Sequence, residues 1–127
     1  MRLLAALGAI LTLVSGPAAA APDCRPASHA QQPCFGVRGR LSVANGNPTF
    51  RLRPAGSTRL LGVVGGDGDA ASRTVLPENV RAAMTPAAPG EMKPVAGVFR
   101  VCPLKPERAG RMRPVCIAEA SQIAPAR

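Results

Sequence analysis

Two alternating runs on either side of a compact turn constrain this chain more than any other feature. In residues 35–44, Val37, Leu41 and Val43 share one side while Arg38, Arg40 and Ser42 share the other, the period-two signature of a half-buried strand. Asn45-Gly46-Asn47-Pro48 follows as a cluster of turn formers, each favouring a bend for its own steric or hydrogen-bonding reason. Alternation resumes in residues 49–53, with Phe50 and Leu52 on the apolar side. A hairpin about that turn pairs Ala44 with Thr49, Val43 with Phe50, Ser42 with Arg51, Leu41 with Leu52 and Arg40 with Arg53. Slipping the register by one residue turns Leu41 and Val43 away from Phe50 and Leu52, so the pattern selects its own pairing.

Further elements follow in order. Pro54-Ala55-Gly56-Ser57 marks a turn, and residues 58–64 (TRLLGVV) predict a short strand buried on both faces. Residues 77–84 (PENVRAAM) predict a short helix: proline suits the first helical position, Glu78 suits the positive end of the helix dipole, and Val80, Ala83 and Met84 make an apolar face. Residues 95–103 and 112–120 predict a fourth and fifth strand. A hairpin centred on Ala109 sets Cys102 opposite Cys116, while Pro103 and Pro114, which lack a donor, suit an edge or bulge. The fold class is therefore mainly β. The order matches the oligonucleotide/oligosaccharide-binding (OB) fold, a small five-stranded, partly open barrel with one short helix between strands 3 and 4; a small β-sandwich is the alternative.

Residues 1–21 read as an export signal: Arg2, an apolar run over residues 3–14, a break at Ser15-Gly16-Pro17, then alanines suited to cleavage. The apolar run is too short to span a bilayer as a helix, so no transmembrane segment is expected in the mature chain. The expected location is periplasmic or secreted. The remaining organisation is an irregular, disulfide-tied arm over residues 22–34, a β domain over residues 35–120 and a flexible tail over residues 121–127.

The mature chain, roughly 106 residues, is small enough that a core alone leaves it marginal. Cys24, Cys34, Cys102 and Cys116 all lie in it, and an oxidising compartment lets disulfides persist. Three connectivities are possible. Nearness in sequence favours Cys24 with Cys34 and Cys102 with Cys116.

Sixteen Lys and Arg against seven acids make the chain strongly basic, at a formal +9. Such a surface draws polyanions, whereas an excess of arginine beside abundant alanine, glycine and proline is also what a GC-rich genome produces. Arg38, Arg40, Arg51 and Arg53 gather on the outer face of the first hairpin and form the candidate anion-binding face; their stems also cover apolar surface without any ligand. Nucleic acid is disfavoured as a partner, because single-strand binding uses aromatic platforms and the chain has no Trp, no Tyr and only three Phe.

Other chemistry is poorly supported. Asp67, Asp69 and Glu78 match positions one, three and twelve of a calcium loop, but Ala71, Ser72 and Pro77 break the pattern. Cys24, His29 and Cys34 are evenly spaced for a soft metal, yet structural zinc needs tighter spacing and four ligands. His29 is the single histidine and its neighbour Ser28 sits in no nucleophile elbow. No catalytic, metal or cofactor site is assigned.

At Gly39-Arg40-Leu41-Ser42, Asn45-Gly46-Asn47-Pro48, Arg59-Leu60-Leu61-Gly62-Val63, Val101-Cys102-Pro103-Leu104 and Val115-Cys116, the chain resembles a group of small exported proteobacterial proteins of unassigned function. The resemblance spans residues 35–120 and implies those domain limits and a bacterial envelope setting. It brings no activity, ligand or catalytic residue.

The function expected from all this is a non-enzymatic binding or structural module of the cell envelope, meeting an anionic envelope component or another envelope protein through a basic face or hairpin tip. One alternative is a periplasmic metal-binding or redox accessory protein using Cys24, His29 and Cys34. Another is an enzyme inhibitor presenting the loop over residues 105–111.

Overall fold

The computed structural model describes Cys24, residues 33–66 and residues 75–126. The expected signal, His29, Asp67 and Asp69 lie outside those residues. Along the chain run β1 (Phe35–Val43), β2 (Phe50–Pro54), β3 (Leu61–Val63), α1 (Glu78–Met84), β4 (Val95–Pro103) and β5 (Arg113–Pro125). The strands form a closed barrel in the order β1-β2-β3-β5-β4, with the helix between the third and fourth strands.

This is the mainly β, five-stranded architecture expected from the sequence, closed rather than partly open. Closure comes from the parallel pairing of β3 with β5, where Leu61, Gly62 and Val63 lie beside Arg113, Pro114 and Val115. All other pairs are antiparallel. Pro114 has no N–H to give, and its carbonyl accepts instead from the Leu104 N–H at 3.1 Å.

The first hairpin has the register its alternation selects, from Val43 beside Phe50 to Arg40 beside Arg53, and the Ala44 N–H donates to the Thr49 carbonyl at 2.8 Å. Leu41 and Leu52 are fully buried. Val43, on the same side but at the barrel rim, remains exposed. In β4 the inward residues are Val95, Phe99 and Val101, and Phe99 is the largest fully buried side chain. Val80 and Met84 of α1 complete the core, while Ala83, expected on that face, is exposed. The Asn79 amide donates to the Ala120 carbonyl at 2.8 Å, tying the helix to β5.

Two elements differ from expectation in length. β3 is confined to three residues because the preceding segment turns on itself, with the Arg59 N–H donating to the Ser57 hydroxyl oxygen at 3.0 Å. β5, conversely, runs on to Pro125, so residues 121–125 are strand rather than a flexible tail. Between the pairs Ala96 with Ala124 and Val98 with Ser121, the register shifts. Gln122 and Ile123 there oppose Gly97 alone, the arithmetic of a β-bulge, and Gln122 takes a positive φ of 53°. A side chain at Gly97 would meet Ile123 Cδ1 at 2.5 Å. The bulge breaks the alternation, which is why the strand reads as finished at Ala120.

Candidate anion-binding cleft and a row of sulfurs

The four sheet arginines share the outer face as expected, but the structure uses two of them locally. Arg51 folds back over the first turn, donating from Nε to the Pro48 carbonyl at 3.3 Å and from its guanidinium to the Asn45 carbonyl at 3.4 Å. Arg38 donates to Gln122 Oε1 at 3.2 Å, across to β5. Arg40 and Arg53 stand side by side in register and exposed. They occupy the convex outside of a barrel, where a bound anion stays in water and is screened.

A second basic region is concave. A cleft of about 610 Å³ opens between the β1–β2 loop and the β4–β5 loop, lined among the described residues by Lys105, Arg108, Arg111 and Arg113 and by no carboxylate. Its floor is Gly62 of β3. A Cβ at that position would lie 2.6 Å from Pro48 Cγ and 3.0 Å from Met112 Sδ, so the two loops reach their spacing only over a residue without a side chain.

The one acid of the β4–β5 loop, Glu107, is engaged elsewhere. It pairs with Arg59 at 2.6 Å, and Arg59 also donates to the Arg108 carbonyl at 3.2 Å. Arg113 Nε donates to the Lys105 carbonyl at 3.1 Å, and the Arg111 N–H to the Arg108 carbonyl at 3.2 Å. The loop is thus folded by bonds within itself and to Arg59, presenting cations beside Asn47 and the apolar Pro48, Val64, Pro106, Met112 and Pro114.

All four cysteines are in disulfides, with a connectivity that corrects the one favoured by sequence proximity. Cys24 is bonded to Cys116 and Cys34 to Cys102. The expected register nevertheless holds, with Cys102 directly opposite Cys116. What the sequence did not reveal is the other neighbour of β4. Phe35 of β1 sits opposite Val101, so the next step along both strands brings Cys34 against Cys102, at a Cα–Cα distance of 4.1 Å. Cys34, just before β1, therefore forms a row with Cys102 of β4 and Cys116 of β5, and Cys24 bonds the last of them. The Sγ atoms of Cys24, Cys102 and Cys116 all lie within 4.8 Å of one another.

Cys102 and Cys116 are each 1% exposed although they alternate with inward-facing Val101 and Ile117, and each is bonded to a half-buried cysteine that precedes β1 in the chain. Each disulfide closes a long loop, 92 and 68 residues in sequence separation. They are nested: once Cys34–Cys102 exists, the second bond closes only about 24 residues and contributes about 3.5 kcal/mol in the chain-entropy model. With Cys24 and Cys34 committed to separate partners and no free thiol among the described residues, a metal site on Cys24 and Cys34 has no thiolate to offer in this state. Of the calcium-loop residues, Glu78 is described, and it pairs with Arg81 one turn on.

The fold and cleft together define a small closed β-barrel of OB-type strand order with a cationic groove between its β1–β2 and β4–β5 loops. No protein-family model matches the chain, and comparison with curated proteins and with solved structures likewise finds no match.

Proposed function

We propose that this protein is a non-enzymatic binding module of the bacterial envelope whose β1–β2/β4–β5 cleft takes an anionic, non-aromatic partner, an acidic glycan bearing carboxylates or phosphates. The observation that carries the reading is the cleft's lining among the described residues: four cations, no carboxylate, and a glycine floor that lets the loops approach. Guanidinium forks match carboxylate and phosphate oxygens in pairs. The same position between these loops is where OB barrels hold extended ligands, an analogy of fold that by itself assigns none. Phe50 and Phe99 are buried in the core, which leaves Phe35 as the one exposed ring and no platform on which bases stack.

The two disulfides are compatible with export to an oxidising compartment, and no helix among the described residues is long and apolar enough to cross a membrane. Calorimetric titration with a short oligogalacturonate, a neutral maltohexaose of similar length and an oligothymidylate tests the reading. Binding of the galacturonate that weakens steeply with salt, with little from the neutral sugar, is the expected result. Equal affinity for the neutral sugar, or no binding of any anion at low salt, overturns it.

A second reading has its own support. Residues 105–111 are exposed on a loop braced by Arg59 and by disulfides at both flanking strands, and a braced tip loses little freedom on binding. That is the condition for an inhibitor loop, tested by whether recombinant protein slows any envelope hydrolase in extracts of its own cell.

A further inference from the structure

We propose that the four cysteines form a thiol–disulfide exchange site, in which an attack at the outer end of the sulfur row is passed along it until the barrel holds a Cys102–Cys116 bond and Cys24 and Cys34 are left to one another. The substrate it takes is a thiol: a small monothiol or the dithiol of an oxidoreductase.

The geometry makes Cys102 a pivot. It has Cys34, the residue just before β1, bonded to it and Cys116 opposite it on β5, and directly opposed residues of an antiparallel pair have Cα separations of about 4.5–5.5 Å, inside the range a disulfide bridges. With Sγ of Cys116 and Sγ of Cys102 within 4.8 Å, a thiolate at Cys116 reaches its target by side-chain rotation, leaving the β4–β5 ladder intact. Exposure sets the direction. Cys102 and Cys116 are 1% exposed, whereas Cys24 and Cys34 are half-buried, so a thiolate from solvent meets the arm sulfurs first.

Each step conserves bonds and electrons. The incoming thiolate attacks Cys24 Sγ, the Cys24–Cys116 bond breaks, a mixed disulfide forms at Cys24, and Cys116 leaves as thiolate. Cys116 then attacks Cys102 Sγ; the Cys102–Cys116 bond forms and Cys34 leaves as thiolate. Finally Cys34 attacks Cys24 Sγ of the mixed disulfide, closing Cys24–Cys34 and returning the incoming thiolate, so a monothiol acts as catalyst with no net redox change. A dithiol instead resolves the mixed disulfide with its own second sulfur, and its two electrons stay in the protein as the thiols of Cys24 and Cys34. Exchange of this kind goes by thiolate attack on a disulfide sulfur. In one connectivity the arm is bonded to the barrel; in the other it is untethered and the barrel keeps its own cross-strand bond.

The test is independent of the cleft. Oxidised full-length mature protein is treated with substoichiometric dithiothreitol, trapped with iodoacetamide and mapped by peptide mass spectrometry. The expected major one-disulfide species carries Cys102–Cys116 with Cys24 and Cys34 alkylated. A one-disulfide population made up of Cys34–Cys102 or Cys24–Cys116 alone overturns the relay, because it shows local reduction with nothing passed on. Cys34→Ser gives a second readout without reductant: the relay expects Cys102–Cys116 alongside Cys24–Cys116, and Cys24–Cys116 as the exclusive pairing overturns it.

Discussion

The two basic regions of this barrel carry similar charge and differ in shape. On the outer sheet, Arg40 and Arg53 stand side by side on a convex surface, and Arg38 and Arg51 spend their donors on Gln122 and on the first turn. In the cleft, Lys105, Arg108, Arg111 and Arg113 converge on one volume, and the nearby acid is turned aside to Arg59. Counting charges does not separate the two. Concavity does, since cations around a groove add their fields at one place and hold a ligand partly out of water, where screening is weaker.

The largest expected effect tests whether both regions hang on one core. Phe99→Ala removes the largest fully buried side chain and should cost about 3–5 kcal/mol, read from the urea midpoint; a loss well below that range would mean the barrel interior is not the common support. Next, Gly62→Val separates the regions. Its side chain collides with Pro48 and Met112, so a loss of about 1–3 kcal/mol from overpacking is expected, together with loss of oligogalacturonate binding. Unchanged binding would show that the ligand does not sit on that floor.

Smaller effects sharpen the contrast. Arg108→Gln with Arg111→Gln should raise the Kd for the acidic oligosaccharide on the order of tenfold, about 1.4 kcal/mol. Arg40→Gln with Arg53→Gln should leave that Kd nearly unchanged and raise thermal stability, since like charges directly opposite in a sheet oppose folding by a few tenths to about 1 kcal/mol. If the second pair matters more, the sheet face is the site. Least of all, Glu107→Gln removes an exposed ion pair at a cost of about 0.2–1 kcal/mol, seen as faster amide exchange in the β4–β5 loop and only a slight change in Kd.

Much of the barrel was legible. The β1–β2 register followed from Leu41, Val43, Phe50 and Leu52, because a period of two leaves each side chain one face to occupy. β4 and the opposition of Cys102 to Cys116 followed from the same rule. The end of β5 did not, since a bulge at Gln122 and Ile123 resets the alternation and its polar Ser121-Gln122 imitates a tail. The cleft was half legible: the loop over residues 105–111 stood out by charge, but Pro48, Gly62 and Arg113 carry no local signal of being neighbours.

The sequence by itself determined the inward side of the first hairpin, where the turns fall, and that the four cysteines are candidates to bond, because those are local consequences of alternation, turn chemistry and an even set of cysteines beyond an expected export signal. Only the tertiary structure decided which cysteine meets which and where a ligand groove opens. Both depend on pairings between distant strands, β1 with β4 and β3 with β5, and such pairings are chosen by closing the barrel around one core rather than by anything written within a strand.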